Sequence, residues 1–224
     1  MNMEDYHLVK TDFNEIAQLD ELKWNHNNCY FKDLMKFIPN NVETCLDIGC
    51  GKGELSFMLS EKSKRVIAVD LAEKMIEKAK VLHLNKNIEY ICGNILDMEF
   101  ENNSFDAIIT TATAHHLPYE WLLCFAKDKL KKDGKLIILD LVKAKSLSDY
   151  VIWGSAFIPN IVMNLFKNGR LQKDDDHAKE VWERHGKHDT YMTMEEIKSF
   201  AKKHIPTAQI KRKLFWRYLL IWQK

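Results

Sequence analysis

From residue 42 onward the chain alternates short apolar, β-branched runs with stretches of helical period. The runs Thr44–Ile48, Arg65–Asp70, Ile88–Cys92, Phe105–Thr111 and Lys135–Val142 predict five strands. Between them, Glu54–Ser60, Ala72–Leu82 and Tyr119–Leu130 read as helices. Strands alternating with helices imply right-handed βαβ crossovers and a mostly parallel sheet. The runs TCLDI, RVIAVD and KLIILDL are almost continuously apolar, as expected for strands with helices on both faces. Lys132-Asp133-Gly134 marks a turn just before the fifth strand.

The flanks follow a different rhythm. The first 40 residues are helical in character, and Pro39-Asn40-Asn41 breaks the pattern before the first strand. Residues 145–190 read as helical and mixed. They hold an apolar aromatic patch (Tyr150, Trp153, Phe157, Phe166) and then a polar stretch rich in Asp, Lys and His. Thr193 ahead of Glu196 is a capping-box spacing that starts a helix running to about His204. Ala208–Lys213 and Phe215–Gln223 are joined too tightly for a crossover, so they predict an antiparallel pair. The expected organisation is one domain over 1–224. It comprises an N-terminal helical segment (1–41), a core (42–142), a helical insertion or substrate cover (143–192), and a last helix with terminal hairpin (193–224).

Composition narrows the function classes. A chain of 224 residues buries enough surface to hold a core without disulfides or metal. The net charge of +1, from 33 basic and 32 acidic residues, argues against a nucleic-acid or anionic-membrane partner. Five cysteines in no CxxC pair fit a reducing compartment. The opening MNMEDYHLVKTDF has no apolar signal region, and no apolar run reaches the ~18 residues of a membrane span. A cytoplasmic location without membrane insertion is expected; oligomeric state is not legible.

The most informative stretch is Cys45-Leu46-Asp47-Ile48-Gly49-Cys50-Gly51-Lys52-Gly53-Glu54, a strand entering a glycine loop and then a helix. Glycines at alternate positions let the backbone turn sharply and approach a ligand with no Cβ in the way. The spacing is G-x-G-x-G rather than the G-x-G-x-x-G of dinucleotide sites. Val66-Ile67-Ala68-Val69-Asp70 is a buried strand ending in a carboxylate, placed to accept hydrogen bonds from both hydroxyls of a ribose. The alternative for Asp70 is a cap on the helix starting near Ala72.

The order LDIGCGKG, VIAVD, GNILDMEF, SFDAII, HHLP and LKKDGKLIILDL resembles the class I S-adenosylmethionine-dependent methyltransferases. It is closest to the small-molecule branch that includes the ubiquinone and menaquinone methyltransferases. The likeness covers about 42–142, and the terminal hairpin matches that family's antiparallel last strand. The resemblance implies an α/β Rossmann-like fold with a mostly parallel seven-stranded sheet, and S-adenosyl-L-methionine as cofactor. Asp47, Gly49, Gly51 and Gly53 would then surround the methionine moiety, Asp70 would hold the ribose, and Leu71 would pack beside the adenine. Gly93-Asn94-Ile95 matches the position whose acidic side chain accepts from the adenine amino group. Asn94 departs from that pattern, although an amide oxygen still accepts such a bond. Thr110 and Thr111 would lie where the chain passes the sulfonium. Trp24-Asn25-His26-Asn27 with Tyr30, His188-Asp189 with Tyr191, and Trp216-Arg217-Tyr218 resemble bacterial members of unassigned substrate.

The expected reaction is methyl transfer to a small-molecule acceptor by in-line displacement, with the enzyme's main work being orientation. His115 and His116 follow the fourth strand at the mouth of the expected site, and His115 is the candidate base. The alternatives are methylation of RNA or protein, or a non-catalytic cofactor-binding module. No metal is expected: Asp174-Asp175-Asp176-His177 reads as a solvated face, and His185 with His188 lacks zinc spacing.

Overall fold

Each apolar run becomes a strand: β1 (Val42–Ile48), β2 (Ser63–Asp70), β3 (Ile88–Cys92), β4 (Phe105–Thr111) and β5 (Leu130–Leu141). The hairpin strands β6 (Gln209–Lys213) and β7 (Arg217–Gln223) follow. The computed structural model describes residues 3–19, 25–145, 149, 150, 154, 157–163, 165, 166 and 176–224. The helices there are α1 (Met3–Ile16), α2 (Phe31–Leu34), α3 (Glu54–Ser60), α4 (Glu73–Leu82), α5 (Tyr119–Lys129), α6 (Phe157–Met163), α7 (Asp176–His188) and α8 (Met194–His204). Among these residues no helix is long and apolar enough to cross a membrane.

The seven strands form one sheet in the order β3-β2-β1-β4-β5-β7-β6. β1 pairs in parallel with β2 (Leu46 opposite Ile67) and with β4 (Leu46 opposite Ile108). β7 runs antiparallel to both β5 and β6. This is the expected Rossmann-like α/β architecture. Side chains alternate across the sheet. Leu46, Ile48, Ile67, Val69 and Ile108 therefore pack beneath Leu122, Leu123 and Ala126 of α5 and Ile197 and Ala201 of α8. Cys45, Val66, Ala68, Ala107 and Ile109 face the other way, onto Leu55 and Leu59 of α3 and Ile76 and Ala79 of α4. Burying one such Leu or Ile is worth roughly 1.5–3 kcal/mol, so both faces must be apolar and the strands read as unbroken runs. Chain order reverses at β1, which leaves a crevice beyond the carboxyl ends of β1, β2 and β4.

Three local features differ from the sequence expectation. β5 begins at Leu130, opposite Phe105, and its register shifts before Ala107 meets Lys135. The Lys132-Asp133-Gly134 turn is thus a bulge inside the strand, with Asp133 at φ 66°. Backbone bonds from Asp133 N–H to the Lys224 carbonyl (3.1 Å) and from Lys224 N–H to the Gly134 carbonyl (3.0 Å) keep it tied to the chain end. Phe215 and Trp216, expected to open the last strand, instead form its turn, both left-handed at φ 57° and 60°. Non-glycine residues there cost of order 1–3 kcal/mol each, and surrounding contacts must hold them. Of the aromatic patch, Tyr150 and Phe166 are exposed, while Trp153 and the Phe157 side chain lie outside the described residues. The Thr193 capping box forms as expected: Thr193 and Glu196 exchange side-chain and backbone bonds at the start of α8.

Candidate functional site

Gly49, Gly51 and Gly53 have φ of 73°, 52° and 84°, the left-handed region that a Cβ disfavours. At Gly49 a Cβ would also fall 2.0 Å from Thr113 Oγ1, so only glycine lets the loop after β4 close onto the glycine turn. Around Gly51 the space is open, with no atom within 4 Å of where a Cβ would sit. Gly49 N–H and Cys50 N–H both donate to the Val69 carbonyl, at 2.8 and 3.0 Å, and this pins the turn to the end of β2.

Two carboxylates flank this turn. Asp47 is 1% exposed and accepts from Ser56 Oγ at 2.6 Å, but its second oxygen, Oδ1, has no partner. Burial pushes its carboxyl up to about 7, with the nearby Asp70 charge adding to the shift against the Ser56 bond. Asp70 closes β2 and accepts from Gly51 N–H at 2.8 Å and from Ala72 N–H at 2.9 Å. Burial pushes its carboxyl up too, opposed by those backbone bonds. Asp70 is therefore not the cap of α4, which is Ala72; it ties the glycine loop to the start of that helix.

Leu71 follows Asp70 and is half-buried. Asn94 caps the turn at Ile95–Asp97: its Oδ1 accepts from Leu96 N–H at 3.1 Å and its amide donates to Asp97 Oδ2 at 3.1 Å. The Asn94 oxygen thus already carries one bond, and the exposed Asp97 carboxylate stands beside it. Ile95 is buried in the core, and Thr111 is half-buried. Thr110 Oγ1 is buried without a partner.

Beyond β4 the chain makes a turn of 3₁₀ helix, Ala114–His116, and enters a polar cluster that the sequence reading largely missed. Asp140, at the end of β5 and 1% exposed, receives His115 N–H on Oδ2 and His115 Nδ1 on Oδ1, both at 2.7 Å. A carboxylate only accepts, so Nδ1 carries the proton and Nε2 presents its lone pair. Burial pulls the His115 ring down, but the Asp140 charge and hydrogen bond win and raise it overall. Burial, with His115 and His185 as neighbours, pushes His116 down to about 2, so it is neutral. Asp189, just past α7, stands 3.8 Å from His115 Nε2, 3.8 Å from His116 Nδ1 and 3.5 Å from His185 Nε2. Tyr191 donates to Asp189 Oδ2 at 2.5 Å.

A roof of two helices covers this cluster. From α1, Phe13 packs edge-on against His116 and His185, with ring centroids at 5.6 and 4.8 Å. Asp12 lies 3.4 Å from His185 Nδ1, and Arg184 of α7 bonds both Asp12 (2.8 Å) and Glu15 (2.6 Å). Near the wall made by the end of β5, the segments at the two ends of the chain meet. Arg217, 6% exposed, donates through Nε to Asn27 at 2.9 Å and through Nη1 to the Phe215 carbonyl. His26 stacks on Phe215 at 4.9 Å and 13°. These contacts hold the strained Phe215-Trp216 turn. Two signals for the cluster were present in the sequence. Asp140 is a carboxylate at the end of the apolar run Leu136–Leu141 of β5, and Asp189 and Tyr191 belong to a segment marked only by resemblance.

Residues 46–138 match the model of the methyltransferase domain family. An uncharacterized methyltransferase of Mycobacterium tuberculosis is 25% identical over 200 residues, covering 89% of this chain and 96% of its own length. A ubiquinone/menaquinone biosynthesis C-methyltransferase of Rickettsia typhi is 30% identical over 145 residues, 58% of each chain. Among solved structures, an S-adenosylmethionine-dependent methyltransferase from Mesorhizobium loti superposes with a TM-score of 0.61 at 16% identity, covering 87% of this chain and 97% of that one.

Proposed function

Because this chain is a class I S-adenosylmethionine-dependent methyltransferase, we propose that it methylates a small-molecule acceptor seated between the glycine turn and the His115–Asp140 pair. The observation that carries this reading is the closure of the site. The side chains of His115, Asp140 and Asp189 are 5%, 2% and 5% exposed beneath α1 and α7. Polar side chains buried beneath two helices suit an acceptor small enough to be enclosed, whereas RNA or a folded protein needs an open face.

The cofactor fits the residues present. In this reading Asp47 Oδ1, which has no partner in the protein, takes the ammonium of the methionine moiety, and the open space over Gly51 leaves room for its chain. Gly49 and Gly53 shape the same turn, Asp70 takes the ribose hydroxyls, Leu71 covers the adenine, and Asn94 meets its amino group with Ile95 beneath. Thr111 closes the sulfonium side. When bound, the cofactor supplies an electrophilic methyl group on a sulfonium. The protein's part is to hold the acceptor in line behind it, an effect of proximity and orientation. His115 Nε2 accepts the acceptor's proton, while Asp140 fixes the ring's tautomer and direction.

Asp70→Ala is expected to weaken cofactor binding at least 10-fold in titration calorimetry, since it removes the ribose acceptor and frees Gly51. Unchanged affinity would defeat the ribose assignment. The acceptor class is tested by supplying methyl-labelled cofactor to fractionated cell extract. Label in the small-molecule fraction is expected; label confined to RNA or protein overturns the reading.

A further inference from the structure

Three imidazoles surround the Asp189 carboxylate without touching it. The gaps of 3.5 Å to His185 and 3.8 Å to His115 and His116 exceed an N–H···O hydrogen bond, about 2.7–3.2 Å. The two 3.8 Å gaps are wider than the spacing of ligands around a bound ion and run to different Asp189 oxygens, so the side chains must close in by a few tenths of an ångström or more to share one. Bonds of about 2.0–2.2 Å from a tetrahedral metal to nitrogen and oxygen put neighbouring ligand atoms roughly 3.3–3.6 Å apart. One ligand atom each from His115, His116 and Asp189 lies within 4.8 Å of the others. We propose that His115, His116 and Asp189 bind one divalent first-row transition-metal ion of the zinc type, with His185 flanking the open side.

The surroundings are those of a ligand set. Asp140 holds the His115 Nδ1 proton at 2.7 Å and turns Nε2 toward Asp189, the carboxylate–histidine arrangement that orients metal-bound imidazoles. Tyr191 plays the matching part for Asp189, donating to Oδ2 and leaving Oδ1 facing His116. The His116 ring is buried, and its Nε2 has no partner, so no hydrogen bond fixes it in another use. Two imidazoles and one carboxylate leave coordination positions open, as catalytic metal sites do. The ligands come from the turn after β4 and the end of α7, two stretches whose separation in sequence hides the motif.

The binding claim stands on geometry alone; only the ion's use rests on the proposed reaction. In the ion-loaded protein His115 Nε2 would be a ligand. The ion would lower the pKa of an acceptor oxygen or nitrogen in its open position, so that its proton is lost to water as the acceptor enters. The proton-accepting role of His115 belongs to the metal-free protein.

The test is titration of chelator-treated full-length protein with Co²⁺, followed by visible absorption and then by displacement with Zn²⁺. One equivalent is expected, with the intense absorption of a four- or five-coordinate nitrogen–oxygen site, bleached by one equivalent of Zn²⁺. Asp189→Asn and His116→Gln are each expected to weaken binding at least 30-fold, with cofactor affinity within threefold of the parent as the check on folding. A spectrum unchanged from aqueous Co²⁺, or equal binding in parent and variants, overturns the site. Methyl transfer that persists with no Co²⁺ signal overturns the ion but leaves the transferase reading. A bound ion with no transfer to any small molecule does the reverse.

Discussion

Asp47→Asn is expected to lower cofactor affinity by about 100-fold or more and at the same time to raise the protein's thermal midpoint. Both effects follow from one buried carboxylate with an unpartnered oxygen. Removing one member of a buried charge pair costs about 3–5 kcal/mol, so loss of the ammonium's proposed partner is expected to cost roughly two to three and a half decades of affinity. In the cofactor-free protein the same charge is a liability. Asp47 is raised to about 7, above an unfolded value near 3.9. Between these values the native state retains a proton that the unfolded state has released, so stability falls as pH rises through the window from about 4 to about 7. The penalty at pH 8 is at most roughly 4 kcal/mol, and asparagine removes it while keeping an acceptor for Ser56. Calorimetric scans should show the variant melting several degrees higher at pH 8, with the gap closing toward pH 4. Affinity has the opposite profile. The ammonium binds the ionised form, so parent affinity is full above pH 7 and falls by up to tenfold per unit below it. A variant that binds the cofactor normally, or melts lower at pH 8, would sink the assignment.

The second large effect is on turnover. Asp140→Asn is expected to reduce kcat by about 10³-fold with cofactor affinity within threefold. Asp140 accepts three protons' worth of hydrogen bonds, from His115 N–H, His115 Nδ1 and Leu141 N–H, each at 2.7 Å. An amide turns a donor toward this group, and the imidazole then protonates Nε2 and loses the lone pair it presents to the acceptor. Changing the tautomer while keeping the shape has cost about 10⁴ in the serine-protease triad. His115→Ala should match the loss, and the double variant should add little, because the two side chains act as a unit. Steady-state rates with calorimetric affinities check this. A kcat within twofold of the parent in Asp140→Asn refutes the pairing, and equal losses of turnover and cofactor affinity in His115→Ala would assign that ring to binding.

Much of the fold was legible because the strands of a covered parallel sheet must be apolar on both faces. Cys45 and Leu46 are neighbours in sequence but enter opposite cores, so the run shows no gap. The helix caps were legible where the chemistry is local, as at Thr193 and Glu196. Where local chemistry and tertiary pairing disagreed, the pairing won. Lys132-Asp133-Gly134 carries turn residues, yet bonds to Lys224 keep it within β5. Phe215 and Trp216 are strand formers, yet His26 and Arg217 hold them in a left-handed turn.

The sequence by itself determined the sheet, the glycine turn at Gly49, Gly51 and Gly53, and the positions of Asp47 and Asp70. The glycine turn and the two carboxylates lie within one βαβ unit, where spacing along the chain fixes spacing in space. The strands of the sheet show as apolar runs because both their faces are covered. Only the tertiary structure decided the polar cluster. His115 from the turn after β4, Asp140 from β5, His185 and Asp189 from the end of α7 and Asp12 from α1 are far apart in the chain. They meet because burial of the helix and sheet faces leaves their shared pocket as the place where these polar groups find partners. Periodicity carries no trace of such a meeting, since it reports which face a residue takes and not which distant residue it faces there.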